Sequence, residues 1–333
     1  MESLPSERNL CQLLQVSRPT LRAAIGILSH EGLVQVRLRR KTLIVPSGIS
    51  RHISDTGVVV LLTANPLREQ AADMLSFVGA LHQTLARSNL RLVIVENPHL
   101  GKSKPRKFLE TVIRQHKANC YVLMRVSEAV QVYFSHLRLP TFIRGSRFPK
   151  VHLPSSEWDY LAIGRHAAGV LAAKGHRRVV IILPGEVRPG DLRCEEGFRL
   201  GMARVGDGAC TTLVSPGRAT RLYRKILKMF REKDPPTAVF VLGAQDCVTV
   251  LFALENLGLR VPGEVSVMSC ETAAVFQALP FRVASYSVHN QLIEKSAKLV
   301  MKLALNRFVP PHESLIMPEF DSGETLGRCP STG

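Results

Sequence analysis

The chain opens with a concentration of cationic groups. Residues 1–46 hold Arg8, Arg18, Arg22, Arg37, Arg39, Arg40 and Lys41 against only Glu2, Glu7 and Glu31, a net charge of +4. A guanidinium fork can grip a phosphate, or the edge of a guanine, through two hydrogen bonds. The chemistry on offer is therefore non-covalent recognition of a polyanion. The whole chain of 333 residues points the same way, with 44 Lys+Arg against 27 Asp+Glu and a formal charge of +17. Most of that excess lies beyond residue 46, so charge alone does not localise the contact.

Patterns that would support bond-making are missing. Gly101-Lys102-Ser103 ends like a phosphate loop, but the earlier glycine is absent because position 96 is Glu. No H-E-x-x-H, G-x-S-x-G or G-x-G-x-x-G occurs, and the eleven histidines lack metal-ligand spacing. The seven cysteines, at 11, 120, 194, 210, 247, 270 and 329, never fall as C-x-x-C, so neither a disulfide framework nor a zinc knuckle is indicated. The expectation is a protein with no catalytic residue, no metal and no cofactor. With 45% hydrophobic and 21% charged residues the composition is that of a globular protein. No apolar run approaches the ~20 residues that span a bilayer, and the opening lacks a signal-peptide pattern. A cytoplasmic location, with no membrane partner, is expected.

The elements that position the basic groups can be read from periodicity. Ser6 can cap a short helix whose Leu10, Leu13 and Leu14 form one apolar stripe. Ser17 can cap a second helix running from about Arg18 to Glu31, with Pro19 in the first turn, where a missing N–H costs nothing. Leu21, Ala24, Ile25 and Leu28 face inward and leave Arg18, Thr20 and Arg22 on the exposed first turn. Leu33-Val34-Gln35-Val36 and Leu43-Ile44-Val45 then read as two strands of a hairpin whose tip carries Arg37, Arg39, Arg40 and Lys41. Two helices at a tight turn followed by a basic hairpin make a winged helix-turn-helix.

Leu4-Pro5-Ser6-Glu7-Arg8, Val16-Ser17-Arg18-x-Thr20-Leu21-Arg22 and Glu31-Gly32-Leu33-Val34 resemble, in order and spacing, the winged helix-turn-helix of GntR-family bacterial regulators. The resemblance implies operator contacts by Arg8, Ser17, Arg18, Thr20 and Arg22, and groove contacts by Arg37, Arg39, Arg40 and Lys41 of the wing. Pro19 and Arg40-Lys41 depart from the family pattern, so base preference does not transfer. The family also places a helix ahead of Leu-Pro-Ser-Glu-Arg. Its place here is expected to be empty through a truncated or misassigned start, or filled by another segment.

Residues 47–56 are polar and read as a linker between a head at 1–46 and a larger domain at 57–328. In the latter, apolar runs such as Val58–Leu62, Leu92–Val95, Val179–Leu183 and Ala238–Leu242 alternate with helical-period stretches, among them Leu161 to Lys174 and Glu195 to Arg204. Strands apolar on both faces belong to a buried parallel sheet, and the alternation predicts a doubly wound α/β architecture. The length is too great for one such sheet, so two lobes with a cleft are expected, with Thr141 to Ser156 as a crossover.

Asp159-x-x-x-x-Gly164-Arg165, Leu171-Ala172-x-x-Gly175-His176-Arg177-Arg178, Pro236-Thr237-Ala238-Val239-Phe240 and Leu257-Gly258-Leu259-Arg260-Val261-Pro262 resemble the effector domain of the LacI family. That family has a two-lobed, periplasmic-binding-protein-like type I fold. The resemblance implies ligand contacts by Asp159 and Asp246, for which helix capping is the alternative, with Trp158 beside the former to stack or merely to pack. Arg193 stands one residue from the family's arginine, Glu271 near its aspartate, and Asn65 in its ligand-facing loop, where an ordinary turn is the alternative.

The two resemblances together imply a transcription regulator, a repressor in the first instance, not an enzyme. It would be a homodimer reading double-stranded operator DNA under control of a small effector, a sugar or similar, bound between the lobes. The alternative is a cytoplasmic small-molecule-binding protein that has lost DNA binding.

Overall fold

In the computed structural model, residues 5–30, 34–35, 43–44, 57–70, 72–102, 104–137, 139–206, 208–287 and 290–330 are described. The chain divides into two compact units, Met1–Gly57 and Val58–Gly333.

The first unit begins with α1 (Glu7–Leu14), capped by Ser6, whose hydroxyl accepts from the Asn9 N–H at 3.3 Å. Gln15 closes the helix in the left-handed region, and α2 (Arg18–His30) follows. Ser17 caps α2: its Oγ accepts from the Thr20 N–H at 3.3 Å and lies 2.8 Å from Thr20 Oγ1. Leu21 is buried, while Leu13 remains 79% exposed. Strands β1 (Val34–Gln35) and β2 (Leu43–Ile44) pair antiparallel, Val34 opposite Ile44, as a hairpin does.

The second unit has two six-stranded sheets. The first sheet takes β3 (Gly57–Thr63), β4 (Leu90–Glu96), β5 (Cys120–Met124), β6 (Thr141–Arg144) and β7 (Ser155–Trp158). It is flanked by α3 (Ala72–Ala86), α4 (Arg106–His116) and α5 (Glu128–His136). The chain then enters the second sheet through α6 (Tyr160–Ala173), β8 (Arg178–Leu183), α7 (Pro189–Ala203), β9 (Ala209–Val214) and α8 (Ala219–Met229). That sheet continues with β10 (Ala238–Val241), α9 (Ala244–Asn256), β11 (Ser266–Ser269) and β12 (Ala284–Ser287). Helix α10 (Asn290–Ala304) and β13 (Glu313–Ile316) return to the first lobe, and β14 (Glu319–Asp321) ends in the second. The strand orders are β13-β7-β6-β5-β3-β4 and β14-β12-β11-β10-β8-β9; the first runs parallel from β13 through β3, and the second is parallel but for the antiparallel β12–β14 pair.

Each sheet is covered on both faces, which explains its continuous apolar runs. Val59, Leu61, Phe77 and Ile293 pack on one side of the first sheet, with Val60, Leu109 and Phe134 on the other. In the second, Val179, Phe198 and Phe240 lie opposite Val180, Leu222 and Val250. Helices α6 and α7 approach so closely that a Cβ on Gly164 would collide with the Cys194 carbonyl, and one on Gly197 with the Leu161 carbonyl. These glycines serve packing. The stretch from Thr141 to Ser156 is not the crossover. It supplies β6 and the start of β7, both in the first sheet, and the chain changes lobe after Trp158.

Candidate functional site

The strands of both sheets end at a common cleft with a cavity volume of about 150 Å³. Its walls are the segments just beyond the carboxyl ends of the parallel strands, where α/β sheets bind ligands. From the first lobe come Arg125 after β5, Arg144 at the end of β6, and Glu157 and Trp158 of β7. From the second come Arg188 before α7, Glu271 after β11 and Tyr286 of β12.

The most deeply placed charge is Arg144, fully buried and paired with Asp73 of α3 at 2.8 Å. Its guanidinium also lies 5.8 Å from the Phe77 ring centroid, while its Nε has no hydrogen-bond partner. Burial raises the Glu157 carboxyl to about 8, against the opposing hydrogen bond from Ser146. Its Oε2 is likewise without a partner. Glu271 is raised to about 7 by burial, although it accepts from the Ala244 N–H at 3.1 Å. Burial thus favours the protonated form of both of these carboxyls. Arg188 moves the other way, down to about 10, through burial first and then the charge of Arg125 across the cleft.

Two contacts clamp the lobes beside the cavity. The Gly190 N–H of α7 donates to Ser146 Oγ at 2.9 Å, and Arg193 of α7 pairs with Glu313 of β13 at 2.9 Å.

Of the ligand candidates named from sequence, Trp158 and Glu271 line this cavity and the other four do not. Asp159 caps α6, accepting from the Ala162 N–H at 3.0 Å. Arg193 is committed to Glu313. Asn65 presents its carbonyl to Thr63 Oγ1 at 3.1 Å and to Gln70 Nε2 at 3.0 Å, closing a turn. Asp246 sits half-buried in the first turn of α9, hydrogen-bonded to Ser215, and burial raises its carboxyl. Trp158 is both buried core and cleft wall. The sequence reading missed Asp73, Arg125, Arg144, Glu157 and Arg188. One signal was available: Arg144 ends the apolar strand Thr141-Phe142-Ile143, and a charge closing a buried strand marks a site.

In the head, Ser17, Arg18, Thr20 and Arg22 are exposed around the first turn of α2. Arg22 Nε lies 3.1 Å from Glu7 Oε2, so the pair ties α1 to α2. Arg8 lies in α1. Arg37, Arg39, Arg40 and Lys41 fall outside the described residues.

Residues 2–44 match the family described as bacterial regulatory proteins, gntR family, and residues 168–326 match the periplasmic binding protein-like domain. The chain carries a gntR-family head on a periplasmic-binding-protein-like sensor. Those two parts make this regulator a ligand-responsive DNA-binding protein. It is 21% identical over 283 residues to an arabinose metabolism transcriptional repressor of Geobacillus stearothermophilus, covering 80% of this chain and 75% of that protein. Its sensor fold is that of a LacI family transcriptional regulator from Bifidobacterium animalis subsp. lactis (TM-score 0.70, 14% identity, 82% of this chain and 98% of that one). It is also that of a periplasmic binding protein/LacI transcriptional regulator from Alkaliphilus metalliredigens complexed with D-xylulofuranose (TM-score 0.66, 16% identity, 81% and 98%). Among the regulator's described residues no helix is long and apolar enough to cross a membrane, and no group of three or more His, Cys, Asp or Glu could hold a metal ion.

Proposed function

We propose that the regulator is a repressor that acts in the cytoplasm as a homodimer, and that a sugar-type effector in the cleft sets its affinity for operator DNA. The observation that carries this reading is a polar cleft at the strand ends of two lobes, in a chain whose first unit exposes Ser17, Arg18, Thr20 and Arg22 on one helical turn. A solved structure of the same fold holds D-xylulofuranose, and a curated relative is a repressor of arabinose metabolism.

In this reading Arg18 and Arg22 contact phosphates or base edges, with Ser17 and Thr20 beside them. Arg8 and the wing residues Arg37, Arg39, Arg40 and Lys41 extend the contact. Trp158 and Glu271 serve the effector directly. Asp159, Asp246 and Asn65 shape the ends of the helices and turns around it, and Arg193 holds the lobes together. An effector that fits the closed arrangement better than the open one shifts the population towards closure. Two heads on a dimer read two half-sites whose spacing is fixed by the protein.

Nuclease protection of the control region of the chain's own gene tests this. Two protected half-sites, lost in Arg18→Ala with Arg22→Ala, are expected. Uniform cleavage at protein concentrations that saturate random duplex would contradict it.

A further inference from the structure

The cleft holds arginines on both of its walls. Arg125 follows β5 in the first lobe and Arg188 precedes α7 in the second, and both line the same cavity of about 150 Å³. No described carboxylate forms an ion pair with Arg125, and the only one within ion-pair reach of Arg188 is Glu186, at 3.7 Å and largely in solvent. Asp191 turns an oxygen onto the backbone N–H of Arg188 at 2.8 Å. Arg125 is exposed, and its charge is felt by Arg188 across the cleft, so bringing the lobes together brings like charges together.

Two further observations point to a ligand at the same place. Arg125 has φ +51°, in the left-handed region. A long side chain held there costs free energy that functional sites characteristically store. Deeper in, Arg144 Nε and Glu157 Oε2 are buried polar atoms with no partner, which a bound molecule's hydroxyls can satisfy. The neighbouring acids offset the arginines only in part: Asp191 lines the same cavity and feels the charges of both Arg188 and Arg125, but burial is the stronger influence and raises its carboxyl. Asp73 is already matched by Arg144, and burial favours the protonated forms of Glu157 and Glu271.

We propose that the ligand of this cleft is an anionic polyol, a small polyhydroxylated molecule bearing a carboxylate or a phosphate ester, whose charge sits between Arg125 of one lobe and Arg188 of the other. This rests on the reading of the cleft as the effector site and specifies its chemistry. The anion converts a repulsion that opposes closure into two attractions that need it. It therefore binds the closed arrangement preferentially, which is what an effector must do. Arginine is suited to the task because it meets either oxyanion through paired hydrogen bonds.

Calorimetric titration of the full chain near neutral pH tests the proposal with matched probes. These are D-glucose against D-glucose 6-phosphate and D-gluconate, and D-xylulose against D-xylulose 5-phosphate. An anionic member is expected to bind about tenfold or more tightly than its neutral parent, with the gap shrinking as salt is added. Arg125→Gln and Arg188→Gln should each close most of that gap. Preference for the ester over gluconate, or the reverse, identifies which oxyanion the arginines accept. A neutral parent binding as tightly as its derivatives, or a gap unchanged in both variants, overturns the anionic ligand and leaves the sugar-type reading standing. Absence of binding by every probe overturns both.

Discussion

Arg193 of α7 reaches across the domain to Glu313 of β13 and forms a 2.9 Å ion pair between the lobes, beside the cavity rather than in it. Position in the sequence suggested a ligand contact for this arginine, and its partner assigns it the work of a clasp. Arg193→Met should loosen the lobes, raising the radius of gyration in small-angle scattering and costing about 1 kcal/mol, as expected for a partly exposed pair. An unchanged radius of gyration with a large loss of ligand affinity would instead return Arg193 to the ligand.

Glu157 links stability to pH. Its folded carboxyl is raised to about 8 by burial, above the ordinary value near 4.5 that it regains on unfolding. Between those values the folded state holds a proton that the unfolded state has lost, so stability must fall as pH rises. Urea unfolding from pH 5 to pH 8 is expected to show that decline, shared by Glu271, which is raised to about 7. In Glu157→Gln about half of the slope should remain below pH 7, carried by Glu271. A slope unchanged by Glu157→Gln would contradict the assignment.

The buried pair of Arg144 and Asp73 carries an asymmetric cost. Asp73→Ala leaves an uncompensated guanidinium in the interior and should destabilise the sensor by about 3–5 kcal/mol. Replacing both partners, as Arg144→Met with Asp73→Ala, should recover much of that loss, because no buried charge then remains. Denaturation midpoints of the two variants measure the difference.

The helix pair α6 and α7 depends on the absence of two side chains. A methyl group on Gly197 meets the backbone carbonyl of Leu161, which cannot rotate aside. Gly197→Ala in α7 is therefore expected to cost about 1–3 kcal/mol, whereas Gly169→Ala in α6, where nothing lies within 4 Å, should be neutral or mildly stabilising. Thermal unfolding of the two variants side by side makes the comparison.

Much of this architecture was legible in the order of residue types. The 3.6-residue period placed α6 at Leu161 to Lys174, against Tyr160–Ala173 observed, and apolar runs marked the strands because both sheets are covered on both faces. Helix α7 begins at Pro189, six residues before its expected start. Pro189-Gly190-Asp191 has the composition of a turn, yet Pro189 sits in the first turn and the Asp191 carboxylate accepts the Arg188 N–H. The site was less legible. Arg125, Arg144 and Arg188 belong to three separate strand ends or loops, and only the three-dimensional closure of the lobes brings them to one cavity. Asp159 illustrates the opposite error of emphasis: an aspartate opening a helix reads equally as ligand contact or cap, and here it caps.

If a ligand in the cleft controls the DNA-reading head, the two must be energetically coupled. Fluorescence anisotropy of the full chain on a duplex from its own control region is recorded with and without a saturating amount of the probe that binds the cleft most tightly. Coupling of about 1–3 kcal/mol predicts a change in duplex affinity of about 5-fold or more, and saturating duplex must change probe affinity by the same factor. Identical duplex affinities in the two titrations would show that cleft and head are not coupled.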